Sequence, residues 1–148
     1  MEHKGDRRLA KVVLAEMIDA ESIVKLDKSV IGNDRRRHDI ETAILEERCF
    51  IVKVKDKIVG FLIYDRHFFE CSFISLVIIS PAESRKGYAS MLLSYFESVS
   101  PTDKLFSSTN ESNLSMQKAF ATNGFRKSGY IENLDEGDPE IIYFKSKL

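Results

Sequence analysis

Phe73-Ile74-Ser75-Leu76-Val77-Ile78-Ile79 is a run of apolar and β-branched residues closed by Ser80-Pro81. A run of this length and composition reads as a strand buried on both faces. Ala82-Glu83-Ser84-Arg85-Lys86-Gly87-Tyr88-Ala89 follows, polar and basic around one glycine. From Ala89 the period changes. Met91, Leu92, Tyr95, Phe96 and Val99 recur at helical spacing and make one apolar stripe, the mark of a helix lying on a sheet. The order is strand, basic glycine loop, amphipathic helix.

That order suits an anion. The first turn of a helix carries unpaired N–H groups and a partial positive charge, and phosphates settle there. Gly87 has no Cβ to keep a phosphate away from its backbone, and Arg85 and Lys86 add charge. The plainer reading is a turn glycine between two solvated cations. A P-loop or a dinucleotide fingerprint needs more glycines than this loop has.

The stretch Val77-Ile78-Ile79-Ser80-Pro81, then Arg85-Lys86-Gly87-Tyr88-Ala89 and Leu92-Leu93, resembles the acetyl-CoA loop of GNAT-type N-acetyltransferases. That loop runs Arg/Gln-x-x-Gly-x-Gly/Ala after a strand ending Val-x-Pro. Gly87 and Ala89 match its last two positions, while Ser84 departs from the first. A second segment supports the resemblance: Asn113, Met116, Ala119-Phe120 and Gly124-Phe125 follow the family's Asn-x-x-Ala-x-x-Leu-Tyr-x-x-x-Gly-Phe pattern.

The resemblance implies a mixed α/β (α+β) domain with a central sheet of six to seven strands. These are mostly antiparallel, with one parallel pair, at 69–79 and 104–108, splayed at the cofactor site, and about four helices flank the sheet. Acetyl-CoA would be the co-substrate, with its pantetheine arm on the backbone of Val77, Ile78 and Ile79. Its phosphates would sit on Ser84, Arg85, Lys86, Gly87, Tyr88, Ala89 and Ser90. Asn113 and Phe120 would touch it from the other side, Asn113 also being a natural helix cap. The implied activity is N-acetyltransferase, moving an acetyl group to a primary amine by direct attack in a ternary complex. The alternative is a regulatory module that binds acyl-CoA without chemistry.

The family's usual catalytic groups are missing. Its tyrosine acid falls at Phe120, seven residues after Asn113, and a fifth-strand glutamate would fall at Ser108. Amine acetylation still needs proton transfer. Tyr130 and Glu140, on the last hairpin, are the candidate acid and base, each with a plainer reading as a packed tyrosine or a solvated carboxylate. Glu70 lies nine residues before Ile79, which at strand rise is roughly 30 Å and too far. His38 and His67 read as surface residues, and no spacing suggests a metal.

Composition bounds the rest. At 148 residues, 43% hydrophobic and 30% charged, the chain reads as one globular domain over 1–148, with a flexible terminus at 1–8. Its 22 basic against 23 acidic side chains argue against a nucleic-acid binder. No apolar run is long enough for a membrane span. Cys49 and Cys71 read as buried thiols of a cytoplasmic protein. The expected partner is a small-molecule amine or a peptide or protein amine, and a homodimer is compatible with the sequence. Arg35-Arg36-Arg37 reads as a solvated face, with acceptor binding as the lesser reading.

Along the chain, strands are expected at 9–15, 49–55, 58–64, 69–79, 104–108, 125–132 and 140–145, with turns at Asp56-Lys57 and Arg66-His67; the strand at 49–55 reads as half-exposed, since Phe50, Val52 and Val54 alternate with Ile51, Lys53 and Lys55. Helices are expected at 19–32, 34–47, 89–99 and 112–123.

Overall fold

The computed structural model describes residues 9–147, so the expected flexible terminus at 1–8 lies outside the described residues. Among the described residues, seven strands form one sheet in the order β1-β2-β3-β4-β5-β7-β6. They are β1 (Ala10–Leu14), β2 (Cys49–Val54), β3 (Lys57–Phe68), β4 (Cys71–Ile79), β5 (Lys104–Asn110), β6 (Arg126–Ile131) and β7 (Glu140–Ser146). Among the described residues four α-helices accompany them: α1 (Ala20–Ile31), α2 (Arg37–Leu45), α3 (Tyr88–Val99) and α4 (Leu114–Thr122). The chain divides into two compact units, Met1–Tyr64 with Leu76–Phe96, and Asp65–Ser75 with Glu97–Leu148.

In the first unit, β1 runs antiparallel to β2, and β2 antiparallel to β3. α1 and α2 bury Ile23, Val24, Ile40, Ala43 and Ile44 against Cys49, Ile51, Phe61 and Ile63. Gly32 stops α1 at φ 88°, the left-handed conformation that glycine adopts without strain. On the opposite face Phe50 and Tyr64 pack on Phe96 of α3, at ring distances of 6.2 and 4.6 Å. Cys49, Phe50, Ile51 and Val52 are therefore all buried, where the sequence alternation suggested a half-exposed strand.

β4 approaches β3 closely at Gly60. A Cβ there would lie 2.6 Å from Ile79 Cδ1 and 3.0 Å from the Ile78 carbonyl oxygen. The Ser80 N–H donates to the Val59 carbonyl at 2.8 Å, tying down the end of β4.

In the second unit, β4 and β5 run parallel, pairing Ser72–Leu105, Phe73–Phe106 and Ile74–Ser107, as a strand–helix–strand crossover requires. β7 lies antiparallel between β5 and β6. Cross-strand partners share a face of a sheet. Leu105, Ser107, Thr109, Ile141 and Tyr143 thus lie on one face, which α4 covers by stacking Phe120 on Tyr143 at 4.7 Å. The other face carries Phe106, Ser108 and Asn110 beside Phe144, Ile142 and Glu140. There Phe68, Phe73, Phe106 and Phe144 form a half-buried aromatic row, with the Arg126 guanidinium 5.2 Å above Phe144.

Two turns fall elsewhere than the sequence suggested. β3 continues through Arg66 and His67 and turns at Phe69-Glu70, both left-handed (φ 53° and 64°). The first hairpin turns at Lys55-Asp56, φ 51° and 69°. Such paired positive angles suit the twist of a two-residue hairpin, but neither pair contains the Asn or Gly that usually signals one.

Candidate active site

The β4 run is less buried than an apolar strand suggests. Ser72 and Ile74 are buried, but Ser75 is exposed and Leu76, Val77, Ile78 and Ile79 are only half-buried. Pro81–Glu83 then makes a single 3-10 turn. Ser84 is extended (φ −65°, ψ 155°), whereas Arg85 and Gly87 are both left-handed, at φ 65° and 86°. Left-handed residues in such a loop turn successive backbone N–H groups toward a common concavity, an anion-binding arrangement. The Gly87 carbonyl accepts from Met91 N–H at 3.1 Å, so Gly87 stands at the start of α3. The helix's positive end therefore opens onto this loop.

The loop's two cations differ. Arg85 is exposed, whereas the Lys86 ammonium donates to Glu83 Oε1 at 3.0 Å, with Lys57 3.9 Å from the same carboxylate. Lys86 thus spends part of its charge on a neighbouring carboxylate. Tyr88 is 1% exposed and anchors the first turn of α3 in the core, while Ala89 and Ser90 are half-buried.

In the second unit, Asn113 caps α4, its Oδ1 accepting from Met116 N–H at 3.1 Å. Phe120 is fully buried against Tyr143 and Phe125, so its ring presents no surface. Tyr130 is 61% exposed on the outermost strand β6. It pairs with Ile141 and so shares a face with Tyr143. Burial, and then the neighbouring Tyr130, push the Tyr143 hydroxyl above the usual tyrosine range. Glu140 pairs with Ile131 and lies on the opposite face of this ribbon. The structure therefore does not bring the two catalytic candidates together.

It joins two others instead. Ser108 Oγ donates to Glu140 Oε2 at 2.6 Å. The fifth-strand carboxylate that the resemblance implies is missing from the sequence, but a carboxylate from β7 lies against the serine that stands in its place. Further bonds fix the approach to Glu140. Asn110 Nδ2 donates to Asp135 Oδ2 at 2.9 Å, and the Ser112 N–H and hydroxyl donate to the two Asp138 oxygens at 3.0 and 2.6 Å. The sequence holds no signal for this clamp beyond the polarity of the loop 133–139.

The arginine run turns out to be largely structural. Arg36 makes a two-pronged pair with buried Asp27, at 3.0 and 2.6 Å. Arg37 pairs with Glu21, whose carboxyl it holds below the usual range. No group of three or more metal-binding side chains occurs among the described residues. No helix among them is long and apolar enough to cross a membrane.

A mixed seven-stranded sheet with one parallel pair, leading from strand through basic loop to helix, is the fold of a GNAT-type acetyltransferase. The chain belongs to the acetyltransferase (GNAT) family, whose model matches residues 17–125. It is similar to the crystal structure of a GNAT-family acetyltransferase from Bacillus cereus ATCC 10987, with 59% identity and TM-score 0.92. The match covers 94% of this chain and 98% of that one. YncA of Salmonella typhimurium, solved with its cofactor acetyl-CoA, shares the fold at 13% identity and TM-score 0.78, covering 95% of each chain. So does the ribosomal-protein-S18-alanine N-acetyltransferase of Escherichia coli, at 15% identity and TM-score 0.79 over 93% of each chain. No curated protein matches the chain.

Proposed function

We propose that the protein is an N-acetyltransferase that moves the acetyl group of acetyl-CoA to a primary amine by direct attack. The observation that carries the reading is the loop of the first unit, where two left-handed residues, Arg85 and Gly87, lead into α3. Such a loop suits the diphosphate of CoA, with Ser84, Ala89 and Ser90 beside it. The strand end Val77, Ile78 and Ile79, half-buried with apolar side chains and polar backbone groups, suits the pantetheine arm, and an N–H there would stabilise the oxyanion.

Glu140 is the proposed base. Its carboxylate takes a proton from the acceptor ammonium and passes it to solvent, the freed nitrogen attacks the thioester carbon, the C–S bond breaks, and the proton that the nitrogen then sheds reaches the CoA thiolate through water. A thiolate is a fair leaving group near neutral pH, so a dedicated acid is dispensable. Tyr130, exposed on another face from Glu140, is assigned to the acceptor's surroundings rather than to acid catalysis. Asn113 and Phe120 serve the fold through the cap and the aromatic core. The acceptor class is a small-molecule amine or a peptide or protein amine, the latter being the substrate type that the Escherichia coli relative's name states.

The test is thiol release from acetyl-CoA on adding amines. Release that depends on the amine supports the enzyme. Tight acetyl-CoA binding with no release from any amine points to a non-catalytic acyl-CoA-binding module.

A further inference from the structure

Ser108 lies at the middle of β5, between Phe106 and Asn110 on the face of the second unit that α4 leaves uncovered. Serine is a poor choice for packing there, since β-branched and aromatic residues fill a pleated surface better. Among the described residues its hydroxyl has one partner, Glu140 Oε2, to which it donates at 2.6 Å.

The Glu140 backbone is set from the same strand. It pairs with Asn110, while Asn110 and Ser112 hold Asp135 and Asp138 of the preceding loop. β5 thus fixes both where Glu140 leaves the chain and where its carboxylate ends. A carboxylate has two oxygens and about four acceptor sites. With Oε2 occupied by the hydroxyl, Oε1 is left to accept from an incoming amine.

From this geometry we infer that Ser108 is a positioning residue, whose hydroxyl holds the Glu140 carboxylate in the orientation that takes the proton from the acceptor amine. The inference rests on the N-acetyltransferase reading and adds a residue to it. Ser108 itself transfers no proton. The acceptor's proton passes to Glu140 Oε1 and then to water, and the seryl O–H stays intact throughout. Loss of a rotamer lock lowers the rate of the step without touching substrate binding, because the carboxylate spends less time in the productive orientation.

Threonine and valine at position 108 make the cleanest comparison, because they share a shape and differ by the hydroxyl. Turnover is measured with acetyl-CoA and the fastest of three acceptors: spermidine, a peptide with a free α-amine, and an N-blocked lysine peptide. Ser108→Thr should keep kcat within about threefold of wild type. Ser108→Val and Ser108→Ala should lose about tenfold in kcat, or ~1.4 kcal/mol, with both KM values unchanged. Ser108→Val combined with Glu140→Gln should be no slower than Glu140→Gln alone, since residues acting through one group are not additive.

Wild-type kcat in Ser108→Val, equal losses in the threonine and valine variants, or multiplicative losses in the double variant would each overturn the inference. Calorimetry of wild type with acetyl-CoA separates the two levels. No binding, or no thiol release with any of the three amines, removes the functional reading and this inference with it. Intact binding and release with an indifferent Ser108→Val removes only the role of Ser108.

Discussion

Replacing Gly60 by alanine tests how the end of β4 is seated. The added Cβ would lie 2.6 Å from Ile79 Cδ1, 3.0 Å from the Ile78 carbonyl oxygen and 3.2 Å from Val52 Cγ1. The first of these is the tip of a flexible side chain and can swing away at modest cost. The carbonyl belongs to the strand and cannot move without disturbing the Ser80–Val59 bond of 2.8 Å. Overpacking of this kind costs roughly 1–3 kcal/mol. A domain of this size loses roughly 2–4 °C of melting temperature per kcal/mol, so a middle value predicts a fall of about 4–8 °C. Thermal unfolding followed by circular dichroism measures it. Trimming the partner should recover part of the loss: Gly60→Ala with Ile79→Val should melt higher than additivity of the two single variants allows. A Gly60→Ala protein that melts with wild type, or a strictly additive pair, would refute the close approach.

Three further outcomes follow from buried groups and from the helix cap. Burial, and then Asp19, push the Cys49 thiol from 9.0 to about 12. Cys49 should therefore resist a thiol reagent at pH 8 in the native protein and react on unfolding; labelling of Cys49 before unfolding would contradict its burial. Because the folded thiol holds its proton longer than the unfolded one, this group's stabilisation is complete below about pH 9 and is lost as pH rises toward 12. That loss is at most about 4 kcal/mol and shows in urea melts across this range. Phe120→Tyr would place a hydroxyl inside the cluster of Phe125 and Tyr143. It should cost about 1–3 kcal/mol with acetyl-CoA affinity unchanged, and an unchanged melting temperature would show that the ring edge reaches solvent or ligand. Asn113→Ala removes the cap bond to Met116 and should cost about 1 kcal/mol in urea unfolding, where no change would mean the cap contributes nothing.

Much of the fold was legible because its signals are local. The change of period between Ile79 and Met91 marks strand and helix, Gly32 and Gly124 mark helix ends, and Pro81 marks the close of β4. The hairpin turn at Phe69-Glu70 was not legible, since neither residue type advertises a left-handed angle. Nor was the burial of both faces of β2, because the alternation of Lys53 and Lys55 with valines outweighs the run that α1, α2 and α3 cover. In the candidate site, the loop around Gly87 could be read from residue types. The Ser108–Glu140 bond could not, because it depends on a register between strands 32 residues apart. The register across the β6–β7 hairpin likewise hid that Tyr130 and Glu140 face opposite ways. A count along one strand says which residues alternate, but only the pairing says which of two strands' residues share a face.

The central claim is that the loop before α3 binds acetyl-CoA through its backbone, and calorimetric titration of acetyl-CoA into wild type and Gly87→Val tests it most directly. Gly87 sits at φ 86°, where a β-branched residue is strained and its side chain would stand where a phosphate approaches. Gly87→Val, folded by circular dichroism, should bind acetyl-CoA at least tenfold more weakly than wild type, about 1.4 kcal/mol. Equal affinity in a folded Gly87→Val protein would contradict it and place the phosphates elsewhere.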